Sequence, residues 1–270
     1  MVAPWNVEPG VLLALGVVGA AYVRGWRMYH RRVPARFPRW RLEAFLAGLV
    51  SLWLAAASPA DTLAEELLSA HMVQHILLLS IAPPLLLLGY PLLPIVRGLP
   101  VVLRTTIVRP IARQRWLRRI ADALTHPVAA LGISSVILWA WHVPALYDLA
   151  LRNPTVHAIE HGLFFAGGVL FWWPVVQPWP SRGRWPRGAI IPYLLAGDVQ
   201  NTVLAAILTF SDRVLYTWYE HVPRVGGLTP VQDQTLAGVL MWVPMSLVYL
   251  VPAFVLTVRL LSPSRVSGFA

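Results

Sequence analysis

The chain has 270 residues, of which 57% are hydrophobic and only 13% charged, with a formal net charge of +10 and no cysteine. Soluble domains carry roughly 25% charged residues, so the composition excludes an ordinary water-soluble particle. The missing cysteines exclude disulfide frameworks, thiolate metal sites and cysteine nucleophiles. All 22 basic residues are arginine, and their placement decides between nucleic acid and membrane.

A bilayer-spanning helix needs about 20 mostly apolar residues, and the chain offers seven such stretches in order. Residues 7–23 are apolar apart from Glu8, and an arginine cluster follows them rather than precedes them. A signal peptide carries its positive charge first, so this stretch is expected to be a retained anchor. Ala44 to Ala60 gives 17 uncharged residues, and a further 30 lie between Glu66 and Arg97. Ala123 to Tyr147 gives 25, His161 to Ser181 gives 21, and Gln234 to Val258 gives 25. Gly188 to Ser211 is interrupted only by Asp198. The pattern predicts an all-α integral membrane protein, a single seven-helix domain over residues 1–270. Its helices are expected at 7–23, 42–59, 67–88, 127–146, 155–176, 188–210 and 233–258.

Orientation follows from the arginines, which concentrate in cytoplasmic connections. Seven fall in Arg24 to Arg41, seven in Gly89 to Pro127, three at Arg182, Arg184 and Arg187, and two at Arg259 and Arg265. Only Arg152, Arg213 and Arg224 lie in the alternate connections. The N-terminus is therefore expected outside and the C-terminus in the cytoplasm. The positive balance reads as topology and contact with anionic lipid, with no nucleic-acid partner. Trp172, Trp173 and Trp185 stand where an interfacial aromatic belt is expected.

With that topology, His30 and His126 fall inside and the other six histidines outside. His71 and His75 open the third helix, His142 lies near the outer end of the fourth, and His157 and His161 open the fifth. Residues four apart share a helix face, and paired imidazoles on one face are a recurring way to hold a transition metal. Imidazoles near hydrocarbon are costly and usually mark function. His71, His75, His142, His157 and His161 are the candidate metal ligands. Met241 joins them as a candidate thioether, while Met245 is read as core packing and Met72 only flanks the first pair. Imidazole and thioether without thiolate suit copper, especially Cu(I), with zinc and haem as alternatives. Gln74, Glu160 and Asp233 are candidates for orienting the ligand imidazoles or giving other polar support. Asp198 lies ten residues into the sixth helix, about 15 Å deep at 1.5 Å per residue, as a proton relay or a structural tie.

Several segments carry a resemblance. They are His71-Met-Val-Gln-His75 running into Ala82-Pro83-Pro84-Leu85, then Trp141-His142-Val-Pro144-Ala-Leu-Tyr147-Asp148, and His157-Ala-Ile-Glu160-His161. Gly197-Asp198 through Thr202, and Asp233-Gln234 through Met241-Trp242, complete the set. In these the chain is similar to the multi-spanning CtaG-type assembly factors of caa-type cytochrome c oxidases. The resemblance implies a multi-pass bacterial plasma-membrane protein that helps to assemble a haem–copper oxidase. It implies delivery of copper to the oxidase catalytic subunit, with a soluble extracytoplasmic copper donor as a further partner.

Two other readings compete with a non-enzymatic metallochaperone. His157-x-x-Glu160-His161 matches the inverted zincin pattern, in which two histidines hold zinc and the glutamate is general base. Alternatively, two histidines from different helices could be axial ligands of a haem.

Overall fold

The computed structural model describes residues 9–57, 59–181, 185–223 and 226–262. Arg182, Arg184, Arg224 and Arg265, and the first two residues of the expected first helix, lie outside the described residues. Every regular element among the described residues is helical. Six helices are long and apolar enough to cross a membrane, and a seventh counts if one bent pair is taken together. The principal helices are α1 (Pro9–Arg32), α2 (Arg39–Ala57), α3 (Leu68–Leu88), α4 (Pro127–Trp141), α5 (Pro154–Val176), α6 (Arg187–Phe210) and α7 (Pro230–Leu261).

Two boundaries depart from expectation for physical reasons. α1 runs on past the first arginine to Arg32, because arginine stems lie along apolar surface with only their heads in water. The expected fourth helix, 127–146, stops at Trp141. Val143 precedes Pro144 and is extended, with ψ of 124°, as the residue before a proline prefers. Pro144 then starts a separate short helix, Pro144–Arg152. At 15 residues, α4 is about 22 Å long, and the Arg115–Leu124 helix before it is bent away by 69°.

α3 is the axle of the bundle: 67% of its apolar window is buried, against 22% for α7. It packs against α2, α5 and α7, while α6 lies along α7 and α4 along α5. Phe210, Phe254, Val136 and Leu13 are among the many large apolar side chains left on the outside, as a lipid-facing perimeter requires. Trp172 is no belt residue. It is buried and stacks on Tyr249 at 5.8 Å with an interplanar angle of 6°.

Within α3, Leu77–Ile81 is a π-helical turn, closed by the Ala82 N–H donating to the Leu77 carbonyl. Pro83 and Pro84 have no N–H to give. The Leu79 carbonyl therefore loses both its four-residue and its five-residue donor, and the widened turn accommodates that loss. Gly168 of α5 sits against this carbonyl, and a Cβ there would overlap it.

Candidate metal centre

The two histidine pairs are aimed by the starts of α3 and α5. Leu67 gives α3 no side-chain cap. Asp233 of α7 does that work, accepting from Leu68 N at 2.7 Å and Ser69 N at 3.2 Å, where helix N–H groups otherwise lack partners. Gln74 Nε2 donates to the Ala55 carbonyl at 2.7 Å and ties this turn to α2. α5 is started by Asn153, whose Oδ1 accepts from Thr155 N and Val156 N, with Pro154 at the first helical position.

These starts bring all five predicted histidines to one end of the bundle. One ligand atom from each of His71, His75, Glu160 and His161 lies within 4.8 Å of the others. The His157 ring is 4.1 Å from that of His161 and 5.1 Å from that of His71. The His142 ring stands 6.0 Å from that of His75. Glu160, expected among the supporting residues, stands inside the cluster itself. Its side chain is 0% exposed, with Oε1 3.5 Å from His75 Nε2 and Oε2 3.8 Å from His71 Nε2. Neither oxygen has a hydrogen bond among the described residues. A carboxylate taken out of water without hydrogen bonds costs several kcal/mol, so a proton or a metal cation must balance it.

Hydrogen bonds preset two of the imidazoles. Tyr219 Oη donates to the Ala64 carbonyl at 2.8 Å and lies 3.3 Å from His71 Nδ1. Having given its one proton to Ala64, the phenol can only accept at His71, so Nδ1 carries the hydrogen and Nε2 presents its lone pair. Burial pushes the Tyr219 phenol up, which keeps that proton in place. His142 Nδ1 donates to the Leu138 carbonyl at 2.7 Å, leaving its Nε2 likewise unprotonated in the neutral ring. Both Nε2 atoms are buried and without hydrogen-bond partners among the described residues. A ligand histidine that donates its other N–H is the usual arrangement at protein metal sites.

Sequence reasoning missed the tyrosines. Tyr147, Tyr216 and Tyr219 are fully buried, and the rings of Tyr147 and Tyr216 stack at 4.0 Å. Tyr147 is 5.0 Å from His71, and Tyr216 Oη donates to the His142 carbonyl at 3.2 Å. The 211–222 connection folds over the cluster by three further bonds: Leu215 N to Gln234 Oε1, Thr217 Oγ1 to Asp148 Oδ2, and Trp218 Nε1 to the Glu65 carbonyl. Three aromatic residues within four positions of a short connection (Tyr216, Trp218, Tyr219) were the available signal.

The remaining candidates fall elsewhere. Met241 and Met245 line a small void on the far side of His75, together with Met72 and His142. Asp198 is half-buried on α6 beside Tyr249 and does not join the histidines. His221 is exposed and bonds its own turn at the Thr217 carbonyl.

Apolar helices around a buried histidine–carboxylate cluster define a multi-spanning membrane protein with a candidate metal centre at one end. The chain belongs to the cytochrome c oxidase caa3 assembly factor family, whose pattern matches residues 20–262. It is 29% identical over 239 residues to uncharacterized proteins of Mycobacterium tuberculosis and Mycobacterium bovis. An uncharacterized protein of Mycobacterium leprae is 26% identical over 241 residues. The alignments take in 86% to 88% of this chain but only 35% to 36% of those relatives, so the chain spans about a third of their length. No solved structure matches the chain.

Proposed function

We propose that this protein takes up Cu(I) at the extracytoplasmic end of the bundle and passes it to the catalytic subunit of a haem–copper oxidase in the bacterial plasma membrane. The observation that carries the reading is Glu160, a fully buried carboxylate without hydrogen bonds, enclosed by His71, His75 and His161. Copper is cargo in this scheme. Imidazole is a good ligand for it, and one carboxylate neutralises one monovalent ion. A divalent ion would leave a net positive charge in a low-dielectric interior, which is costly. The arginine distribution puts the centre on the outer side, where a soluble copper donor has access.

The same geometry speaks against the competing readings. Neighbouring imidazole rings stand 4.1 to 5.6 Å apart, centroid to centroid, around Glu160, which suits a small ion and leaves no slot for a porphyrin. A zinc hydrolase needs its glutamate at a water-filled cleft, whereas Glu160 is sealed among side chains. A transfer role without catalysis fits this geometry better.

The test is copper analysis of detergent-purified protein after anaerobic Cu(I) loading, beside a His71→Ala/His161→Ala variant. Oxidase copper in cells carrying each form completes the experiment. The expected result is a loss of bound copper at the nitrogen site and a copper-poor oxidase in the variant strain. A fully metallated oxidase in that strain would overturn the proposal.

A further inference from the structure

Next to the His/Glu cluster, and sharing His75 with it, is a void of about 10 Å³, close to one water-sized sphere. Met72, Met241, Met245 and His142 line it, and the rest of its wall is apolar, from Ile76, Leu79, Leu138 and Phe164. Met72 sits one turn of α3 below Ile76, and Met241 and Met245 are one turn apart on α7. Three methionines from two helices thus line one void. All three, with His142, are buried. Asn201 Nδ2 donates to the Met241 carbonyl at 3.1 Å and pins that turn of α7.

Methionine often merely fills gaps in a core, but a gap-filling core would not line the gap with a histidine whose buried ring nitrogen has no hydrogen bond. His142 Nε2 is buried, carries no proton in the neutral ring, and has no partner among the described residues. A water in the void would find few hydrogen-bonding partners, where a stable buried water makes two to four bonds. A soft monovalent cation would find one imidazole and up to three thioethers, the ligand set that selects Cu(I). His75 stands between the two sites: its Nε2 faces Glu160 while its ring lines the void. Both of its ring nitrogens lack hydrogen-bond partners among the described residues.

We propose that Met72, Met241, Met245 and His142 form a second, soft Cu(I) site, and that His75 hands the ion between it and the His/Glu site. The proposal rests on the copper reading above. No oxidation change is involved: Cu(I) exchanges carboxylate and imidazole for thioether ligands, and Glu160 is left to take up a proton or the next ion. One site holds the ion next to its counter-charge, and the other holds it neutral-ligated and more weakly. Such a pair suits a carrier that must release its cargo.

The experiment is X-ray absorption on the full chain in detergent, loaded with Cu(I). Wild type is expected to show sulfur together with nitrogen or oxygen scatterers. Met241→Leu/Met245→Leu, which conserves volume, is expected to keep copper and lose most of the sulfur signal. His71→Ala/His161→Ala is expected to keep a residual, sulfur-rich copper. Should the double methionine variant fail to fold, the wild-type spectrum and Met72→Leu decide. Copper bound by wild type with no sulfur overturns the second site and leaves the first standing. Failure of wild type to bind copper at all overturns both.

Discussion

Asp233 is the residue on which the aim of the first histidine pair depends. It is 2% exposed, and its two oxygens accept from the first N–H groups of α3, 2.7 and 3.2 Å away. Asp233→Ala removes both acceptors and leaves two buried donors at a helix start. Loss of an N-cap costs about 0.5–2 kcal/mol, and a buried donor stripped of its partner about 1–3 kcal/mol. The expected destabilisation is about 2–4 kcal/mol. At roughly 2–4 °C per kcal/mol for a chain of this size, the melting temperature should fall by roughly 5–15 °C in detergent. Asp233→Asn keeps one acceptor and should lose about half as much. His71 follows Leu68 by less than one turn, so Cu(I) affinity should fall about 10- to 100-fold, as for loss of an orienting group. Competition with a Cu(I) chelator, beside circular-dichroism melting, measures both quantities. An Asp233→Ala protein that melts and binds copper like wild type would refute this account of how α3 is positioned.

Three other outcomes test separate parts of the structure. Tyr219→Phe removes the hydroxyl that holds the His71 proton on Nδ1, and should weaken Cu(I) binding about 10-fold; rescue of affinity by no other phenol-free substitution, including Tyr219→Leu, is expected in the same titration. Glu160→Gln should leave the copper-free protein about as heat-stable as wild type, because the amide replaces a protonated, neutral carboxyl of the same shape, while Cu(I) affinity drops; a marked loss of stability without copper would instead identify Glu160 as the ionised partner of a protonated histidine. The chain has no cysteine, so single-cysteine labelling is clean: in intact cells a membrane-impermeant maleimide should modify Glu220→Cys and spare Arg118→Cys. The reverse pattern would invert the topology and with it the side from which copper enters.

Much of this architecture is legible in the sequence because the bilayer imposes one rule on every span. Charge-free runs locate α2, α3, α5, α6 and α7 to within a few residues, and spacing alone pairs His71 with His75 and His157 with His161. What periodicity cannot convey is direction around the helix axis relative to a neighbour. Glu160 could have faced lipid, water or the histidines, and only packing of α5 on α3 and α4 turns it inward. Trp172 misleads for the same reason: a tryptophan near a span end suits an interface, but here Tyr249 offers a stacking partner inside. The tyrosines escape notice because their role comes from a connection folded back by Thr217 and Trp218, contacts more than 60 positions apart in sequence. The end of α4 at His142 was readable from Pro144, whose demand on Val143 outweighs the apolar run.

The π-helical turn at Leu77–Ile81 acts as an angular offset built into α3. Each residue of an α-helix advances the chain by about 100°, and a π turn inserts one residue beyond that count. His71 and His75 lie on one side of the offset, and Pro83 and Pro84 on the other. Winding the same residues as regular α-helix would swing both imidazoles about 100° relative to Pro83 and Pro84, whereas deleting one residue from Leu77–Ile81 would remove the bulge and leave both flanks facing as they do. The heading of the histidine pair is thus written as a count of residues, several of which never touch it.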